Sequence, residues 1–423
     1  MRSMEETGRL ARITHSPVWK SIFRHGYSGS ELDRAQTVFT NFFLHIHPVK
    51  VRRETLEFRH TFYLGGLAFL LFLLLLVTGI LLMFYYVPSV ERAYQSMLGL
   101  QTAVVFGVFL RNLHRWSAHA MVVVVFLHMC RVFYGGAYKT PREFNWVVGV
   151  ILLGLTLFLS FTGYLLPWDQ LAYWAITVGT SIAGYIPVVG KSLRQLLLGG
   201  LEVGQETLLR FYVLHVAVLP LLSALFIAIH FWRIRKDGGL AEPLYGRRER
   251  KEENRPWQEV FPENPQKTYG LMALVKGVSP AVGKEPEETV FTVPYLLVLE
   301  LVGTLVVLFL LTLVSIFFSA PLEELANPLH TPNPAKAPWY FLWLQELVSH
   351  SALYGGVVLP SLIFLGLLLL PYLDRKPERE MRARMLFVFP FTLIIIAIVV
   401  LTIIGAFFRG PEWRWVWPWS AGG

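Results

Sequence analysis

The sequence predicts an all-α integral membrane protein of seven transmembrane helices, arranged as an N-terminal four-helix bundle followed by a three-helix C-terminal half. Three observations carry that expectation. The 423 residues are 54% hydrophobic and only 16% charged, far from a soluble average. Seven apolar runs approach or exceed the roughly 20 helical residues needed to cross a hydrocarbon core of about 30 Å. Between the fourth and fifth runs lies "RIRKDGGLAEPLYGRRERKEENRPWQEVFPENPQ", which is charged, rich in proline and glycine, and without a sustained apolar period.

The runs fall at about 62–86, 117–134, 146–166, 212–232, 293–318, 355–373 and 386–408. The first is preceded by an N-terminal segment, 1–60, whose residues 1–30 are polar and basic with no short apolar core followed by a small-residue cleavage site, so no removable signal peptide is expected. Residues 61–240 make the four-span domain, 241–287 the linker and 288–423 the three-span domain. Two long loops interrupt the runs. Segment 167–208 contains "KSLRQLLLGGLE", read as a surface helix, and 319–352 contains "PLHTPNPAKAPWYFLWLQEL". Loops of that length usually carry function.

Lysine and arginine gather before the first run, at Tyr138–Arg142, in Arg233–Lys284 and in Asp374–Arg384. That asymmetry places the N-terminus in the cytoplasm and the C-terminus outside, with Trp413, Trp415, Trp417 and Trp419 at the outer interface. The net charge of +9 is thereby a topology signal plus attraction to anionic lipid, with no nucleic acid required. One cysteine, Cys130, excludes an intrachain disulfide.

Ionisable groups inside spans are expensive and functional by default. His114 and His128 stand fourteen residues apart on the second run, and His215 and His230 fifteen apart on the fourth. Fourteen helical positions advance about 21 Å and fall roughly 40° short of four turns, while fifteen go roughly 60° beyond. Both histidines of each helix therefore face nearly one direction, at opposite sides of the membrane. The two helices run parallel, so His114 pairs with His215 at the outer level and His128 with His230 at the inner level. Zinc would need four ligands, and no nearby acid or thiolate supplies the rest. A haem iron lacks only two axial ligands. Gly65 and Gly79 in the first run, and Gly149 and Gly163 in the third, repeat the same fourteen-residue step, giving a macrocycle edge close backbone approach. Two bis-histidine b haems, closed to further ligands and suited to electron transfer, are expected. Arg111 and Arg131 lie near the two ends of the column, where propionates need cations. His119, between the levels, is read as a polar packing contact.

These residues resemble cytochrome b of the quinol:cytochrome c and plastocyanin oxidoreductases, over nearly the whole chain after about residue 31. The matching pieces are "RNLHRWSAH…LHMCR", "TGYLLPWDQLAYWA", "LLRFYVLHVAVLPL…IHFWRIRK" and "APWYFLWLQEL". The fifteen-residue histidine step is similar to the chloroplast b6 type, where the mitochondrial type has fourteen, and the second half is similar to subunit IV of b6f complexes, here fused to its partner. The resemblance implies quinol oxidation at an outer pocket, with one electron passing to a Rieske iron–sulfur protein and on to a c-type cytochrome or similar acceptor. The other electron crosses two non-covalent b haems to a quinone at an inner pocket, and protons move outward. It also implies a homodimer within a multisubunit complex of a bacterial plasma membrane.

The outer pocket is expected from Gly163–Gln170, including Trp168 and Asp169, and from Pro338, Trp339 and Tyr340. Where the family commonly has Pro-Glu-Trp-Tyr this chain reads "KAPWY", so the usual carboxylate is absent and Glu346 is its candidate substitute. Tyr63 stands where b6-type proteins carry the cysteine that attaches an extra haem, so no covalent third haem is expected; Cys130 is read as packing. Arg235, Lys236 and Asp237 are candidates for the inner quinone. Two other readings stay open. A secondary transporter would use broken helices and an internal repeat, and none is visible. A dihaem anchor linking a separate dehydrogenase to the quinone pool would share the haem column without needing the outer loops.

Overall fold

The computed structural model describes residues 16–22, 30–41, 44–237, 239–241 and 289–419. Nearly all of the expected linker 241–287, and much of the segment 1–60 before residue 44, lie outside the described residues.

Seven described helices are long and apolar enough to cross a membrane: Leu64–Met83, Gly107–Tyr134, Glu143–Tyr164, Gln205–Lys236, Thr292–Phe317, Tyr354–Leu373 and Met381–Phe407. They are called spans one to seven, and the end at which span one starts is called proximal. The second span starts ten residues before the expected 117. Its first turns carry Arg111, Asn112, His114 and Arg115, and a hydropathy reading discards residues whose polarity is satisfied inside the protein. The fourth begins at Gln205 rather than 212 for the same reason.

Three spans contain a wide π-type turn: Leu214–Val218, Thr292–Leu296 and Tyr354–Val358. In the first and third, proline follows two residues later, at Pro220 and Pro360. Proline has no N–H to close the normal helical bond, and an inserted residue relieves the resulting crowding.

The loop after span three folds into two helices, Gln170–Gly184 and Gly190–Leu198. Asp169 caps the first, its Oδ1 accepting from Ala172 N–H at 2.9 Å. Gly199 ends the second in the left-handed region, φ 72°, which L side chains rarely adopt. The expected surface helix is therefore present, and "PWDQ" introduces another before it.

Span one packs along span two and span three along span four, while spans two and three also face spans five and six. Two polar clasps join the halves. At the distal end, Arg111 donates to the Ala320 and Pro321 carbonyls, both at 2.6 Å, and Trp116 to Phe318 O at 2.7 Å. Asn112 donates to Ser315 O at 2.9 Å and accepts from Ala320 N at 2.8 Å. At the proximal end, buried Asp374 receives Lys139 Nζ at 2.7 Å, Arg384 Nε at 3.1 Å and the Tyr138 hydroxyl. An aromatic cluster of Phe133, Tyr138, Trp146 and Phe391 surrounds that site.

Before span one, strand β1 (Lys50–Arg52) pairs antiparallel with β2 (Thr289–Phe291), Val51 opposite Val290. This short ladder ties the N-terminal segment to the start of span five.

Candidate functional site

The four span histidines are brought together in two pairs. His114 and His215 have ring centres 6.4 Å apart at an interplanar angle of 80°, and His128 and His230 are 6.5 Å apart at 78°. A metal–imidazole bond of about 2 Å on each side, plus roughly 1.1 Å from nitrogen to ring centre, puts two opposed axial imidazoles about 6.3 Å apart. Both pairs match that spacing. All four rings line one continuous cavity of about 430 Å³, bordered mainly by apolar side chains of the first four spans. Among the described residues, no cluster of three or more His, Cys, Asp or Glu is arranged to hold a metal ion unaided. The donor set therefore fits iron already held by four porphyrin nitrogens.

Span four reaches this register through its π-type turn, which contains His215. The turn absorbs one extra residue, so a fifteen-residue step there aims its two imidazoles as fourteen do on span two.

Two threonines orient the distal pair. The Thr78 hydroxyl donates to Leu74 O at 2.7 Å and lies 2.8 Å from His114 Nδ1. Thr162 donates to Leu159 O at 3.1 Å and lies 3.1 Å from His215 Nδ1. A hydroxyl whose proton is committed to a carbonyl offers the imidazole only a lone pair. Nδ1 must then carry the proton and Nε2 is left bare to coordinate.

Each of the four glycines faces a histidine ring. A Cβ on Gly79 would lie 3.3 Å from His114 Cε1, on Gly65 3.3 Å from His128 Cε1, on Gly149 3.6 Å from His230 Cε1 and on Gly163 2.5 Å from His215 Cε1. Each imidazole projects from its own helix toward the next one, and its edge meets the neighbouring backbone at a position without a side chain. Gly163→Ala should therefore displace His215, costing roughly 1–3 kcal/mol of overpacking and emptying the distal level. Gly149→Ala, an ordinary contact, should retain both haems. Extracted haem per polypeptide checks this, and equal occupancy in the two variants would remove the ring-support role.

Arg111 borders the cavity, but two of its nitrogens are committed to the distal clasp. Arg115, one residue past His114, also borders it, and its buried Nε is without a partner. Arg131 borders the proximal end and donates through Nε to His60 O at 2.9 Å. Burial first, then the Arg131 charge, pushes His60 down to about 4, so this histidine is neutral at physiological pH.

The distal loops supply less of the cavity wall than expected. Gly163, Tyr164, Leu166, Pro167 and Tyr340 line it, whereas Trp168, Asp169, Pro338 and Trp339 do not. Trp168 is buried in the distal core, with φ 55°. Asp169 caps its helix and accepts from Glu323 N at 3.2 Å, which ties the two long loops together. Burial raises the Asp169 pKa despite those two backbone bonds. Both residues shape the pocket from behind. Pro338 precedes the turn Trp339–Phe341, and burial pushes the Tyr340 phenol up to about 12.

Glu346 is turned away from the cavity. It forms an ion pair with Arg409, whose Nε lies 3.0 Å from Oε2, and accepts from Trp413 Nε1 at 2.9 Å. Burial favours its protonated form, but the bonds from Arg409 and Trp413 prevail and hold its pKa below the ordinary value. A carboxylate so engaged fastens the C-terminal segment and is a poor proton acceptor.

His119, read from sequence as packing, faces the cavity beside Tyr340, with ring centres 5.7 Å apart. Trp339 Nε1–H donates to His119 Nδ1 at 3.0 Å, so in the neutral ring Nε2 bears the proton. The absence of the family's glutamate from "KAPWY" was the available signal for a different polar group here.

At the proximal end, Arg235, Lys236 and Asp237 do not line the cavity. Asp237 pairs with Arg233 at 3.0 Å, and Lys236 Nζ lies 4.8 Å above the Trp232 ring. Burial raises the Asp237 pKa against the nearby arginines. The polar residues that do face the cavity there include His47, Tyr63 and Glu300, two of which sequence reasoning missed. Tyr63 donates its hydroxyl to Leu56 O at 2.7 Å, and Cys130 is partly buried on span two.

Fold and cavity together define a membrane-embedded helical bundle that presents paired imidazoles at two depths. Residues 52–238 match the family model described as cytochrome b/b6/petB, and residues 325–419 match the one described as cytochrome b(C-terminal)/b6/petD. Cytochrome b6 of Heliomicrobium gestii is 49% identical over 183 residues, covering 43% of this chain and 85% of that protein. Cytochrome b6 of Porphyra purpurea is 51% identical over 181 residues, covering 43% and 84%. A solved chain described as hyperthermophilic respiratory Complex III superposes with a TM-score of 0.65 at 29% identity, covering 81% of this chain and 83% of that one.

The chain belongs to the cytochrome b family. It is a b6-like integral membrane subunit of a bc-type oxidoreductase complex, with its b6-like and petD-like parts in one polypeptide. The family implies b-type haem and quinone binding.

Proposed function

We propose that this chain oxidises quinol at a distal pocket and passes electrons between two bis-histidine haems to a quinone at the proximal end, while contributing to proton translocation. The observation that carries the reading is the pair of imidazole pairs, each at axial-ligand spacing, in one cavity that continues past Tyr340 at one end and past Glu300 at the other. The proximal side is cytoplasmic, in a bacterial plasma membrane, because lysine and arginine gather there. A Rieske iron–sulfur protein takes the first electron, with a c-type cytochrome or similar acceptor beyond it, and the working complex contains two copies of this chain. No covalent third haem is included, since Tyr63 supplies no thiol.

His114 with His215, and His128 with His230, would hold the two haems, which when bound would carry single electrons across the bilayer; with two imidazoles supplied at each level, the sites would be closed to oxygen and suited to electron transfer. Thr78 and Thr162 fix the distal imidazoles. Arg115 and Arg131 supply positive charge at the two ends of the cavity. In the distal pocket Tyr340 and Pro167 form an apolar wall for a quinol ring, and His119 offers Nε2–H to its oxygen. Trp339 holds His119 in that tautomer.

Replacing Trp339 and Tyr340 together with alanine should slow quinol-driven reduction of a high-potential acceptor by roughly 10²-fold, as expected when positioning groups are removed. Both haem spectra should persist, because neither residue is a ligand. Stopped-flow reduction of the purified complex measures it. Undiminished turnover would favour a dihaem anchor serving a separate dehydrogenase.

A further inference from the structure

Beyond span seven the chain grips the loop that carries Trp339 and Tyr340. Residues 408–416 close as a tight hairpin, with Val416 N donating to Phe408 O and Gly410 N to Arg414 O, each at 3.0 Å, and a bridge between Arg409 and Trp415. Its turn holds Glu412 and Trp413 in the left-handed region, at φ 53° and 59°. Side chains other than glycine persist there only where the surrounding structure holds them.

The holding bonds reach both sides of the distal loop. Upstream of Trp339, Asn333 Oδ1 accepts from Glu412 N–H at 2.5 Å, and Lys336 Nζ donates to Ala406 O at 2.8 Å. Downstream lies the helix Leu342–His350, into which Tyr340 leads, and there Glu346 receives Arg409 and Trp413. Span seven approaches the head of that helix so closely that a Cβ on Gly405 would stand 3.2 Å from Leu342 Cβ. Gln345 closes the loop from inside, its side-chain oxygen accepting from Ala337 N and its amide donating to Ala335 O, both at 2.7 Å. Trp339 and Tyr340 thus sit in a stretch pinned on either side by partners 63 to 79 positions further along the chain. Glu346 is 2% exposed, and apolar side chains of like volume would fasten a terminus as well as a buried ion pair does. What the pair adds is direction: Arg409 meets the carboxylate fork on fork, Nε to Oε2 and Nη2 to Oε1, which fixes angle as well as distance.

We propose that the C-terminal hairpin is a positioning element of the distal quinol pocket, with Glu346, Arg409 and Trp413 as its keystone. It sets where Tyr340 stands as pocket wall and keeps the Trp339 indole on His119. The proposal rests on the distal quinol site of the preceding subsection. None of the three keystone residues lines the cavity, so they act through the turn Trp339–Phe341 and not on substrate. A displacement of about 1 Å in groups that hold a reactant can cost about 10²-fold in rate, even when its origin is remote.

The test uses the purified complex with Glu346→Gln, Arg409→Gln, both together, and Glu346→Asp. Arg414→Ala serves as control, because that side chain is 77% exposed on the same hairpin. Glu346→Gln should lower kcat/KM for quinol-driven reduction of a high-potential acceptor by about 10-fold or more, with KM and kcat both moving. A tail that only stabilised the fold would reduce the amount of intact complex and leave both constants of the remainder unchanged. Reoxidation of the prereduced proximal haem by added quinone, and total haem, should stay at wild-type values. The double variant should cost about as much as either single one, because all three break one pair. Glu346→Asp should recover part of the loss, and Arg414→Ala should behave as wild type. Wild-type constants in both Glu346→Gln and Arg409→Gln, or an equal slowing at the two ends of the cavity, would overturn the proposal. If the Glu346 and Arg409 variants fail to assemble, Lys336→Met, which removes only the tie to Ala406, decides by the same kinetic split. Absence of quinol-driven reduction in the unmodified complex would refute the distal site itself, a result distinct from failure of the hairpin's role.

Discussion

Alanine at His128 or His230 should remove the proximal haem and leave the distal one, and alanine at His114 or His215 should do the reverse. Each variant should therefore contain half the wild-type haem, read from extracted haem per polypeptide and from reduced-minus-oxidised spectra. Each imidazole is opposed by a single partner at 6.4 or 6.5 Å between ring centres, and among the described residues no third donor cluster offers a substitute. Loss of one imidazole would leave the proposed haem with a single protein ligand. The levels are about 21 Å apart along the helix, so damage at one should not spread to the other. A single variant that kept both spectra unchanged would sink the assignment.

The second large effect is expected at the proximal clasp, whose residues Tyr138, Lys139, Asp374 and Arg384 do not line the cavity. Asp374, 3% exposed, is held by Lys139, Arg384 and Tyr138, and Arg384 is itself 1% exposed. Asp374→Ala leaves two buried cations without their counter-charge, which costs about 3–5 kcal/mol when a buried pair is broken from one side. The variant should lose its haem spectrum at a markedly lower temperature than the wild type. Burial alone would raise the Asp374 pKa, but the hydrogen bonds from Lys139 and Tyr138, with the charges of Lys139 and Arg384, hold it below the ordinary carboxyl value. Its contribution is therefore complete above the unfolded pKa of about 3.9 and is lost as pH falls through the lower folded value. Acidification below about pH 4 should destabilise the wild type more than Asp374→Ala. Equal acid sensitivity in the two would show that the carboxylate is not what holds the cations.

Much of this was legible in the sequence because membranes simplify the code. Seven apolar runs gave seven spans, and four histidines in register gave two facing pairs. What stayed hidden depended on contacts between distant parts of the chain. Glu346 reads as a free acid near "APWY" until Arg409, 63 residues later, is brought beside it. His47 and Glu300 belong to opposite halves, and the ladder that joins them is only three residues long on each side. Trp168 and Asp169 were identified as a motif, yet their side chains build the loop rather than line the cavity. The fifteen-residue step from His215 to His230 was read as roughly 60° beyond four turns yet still facing nearly one direction, and the π-type turn before Pro220, which takes up the extra residue, was not visible. Hydropathy carries no trace of such a turn.

The two clasps also change what the connection between the halves means. The cytochrome b6 of Heliomicrobium gestii is matched over 85% of its own length by 183 residues of this chain, so there the first half stands as a polypeptide by itself. Here the halves meet through bonds made by Arg111, Asn112 and Trp116 at one end and by Asp374 at the other. None of those contacts passes through residues 242–288. The covalent joint acts as a tether, which raises the effective concentration of one half near the other to the order of millimolar and enforces one-to-one stoichiometry during assembly. It contributes to how readily the halves find each other, while the clasps determine how they sit once they have met.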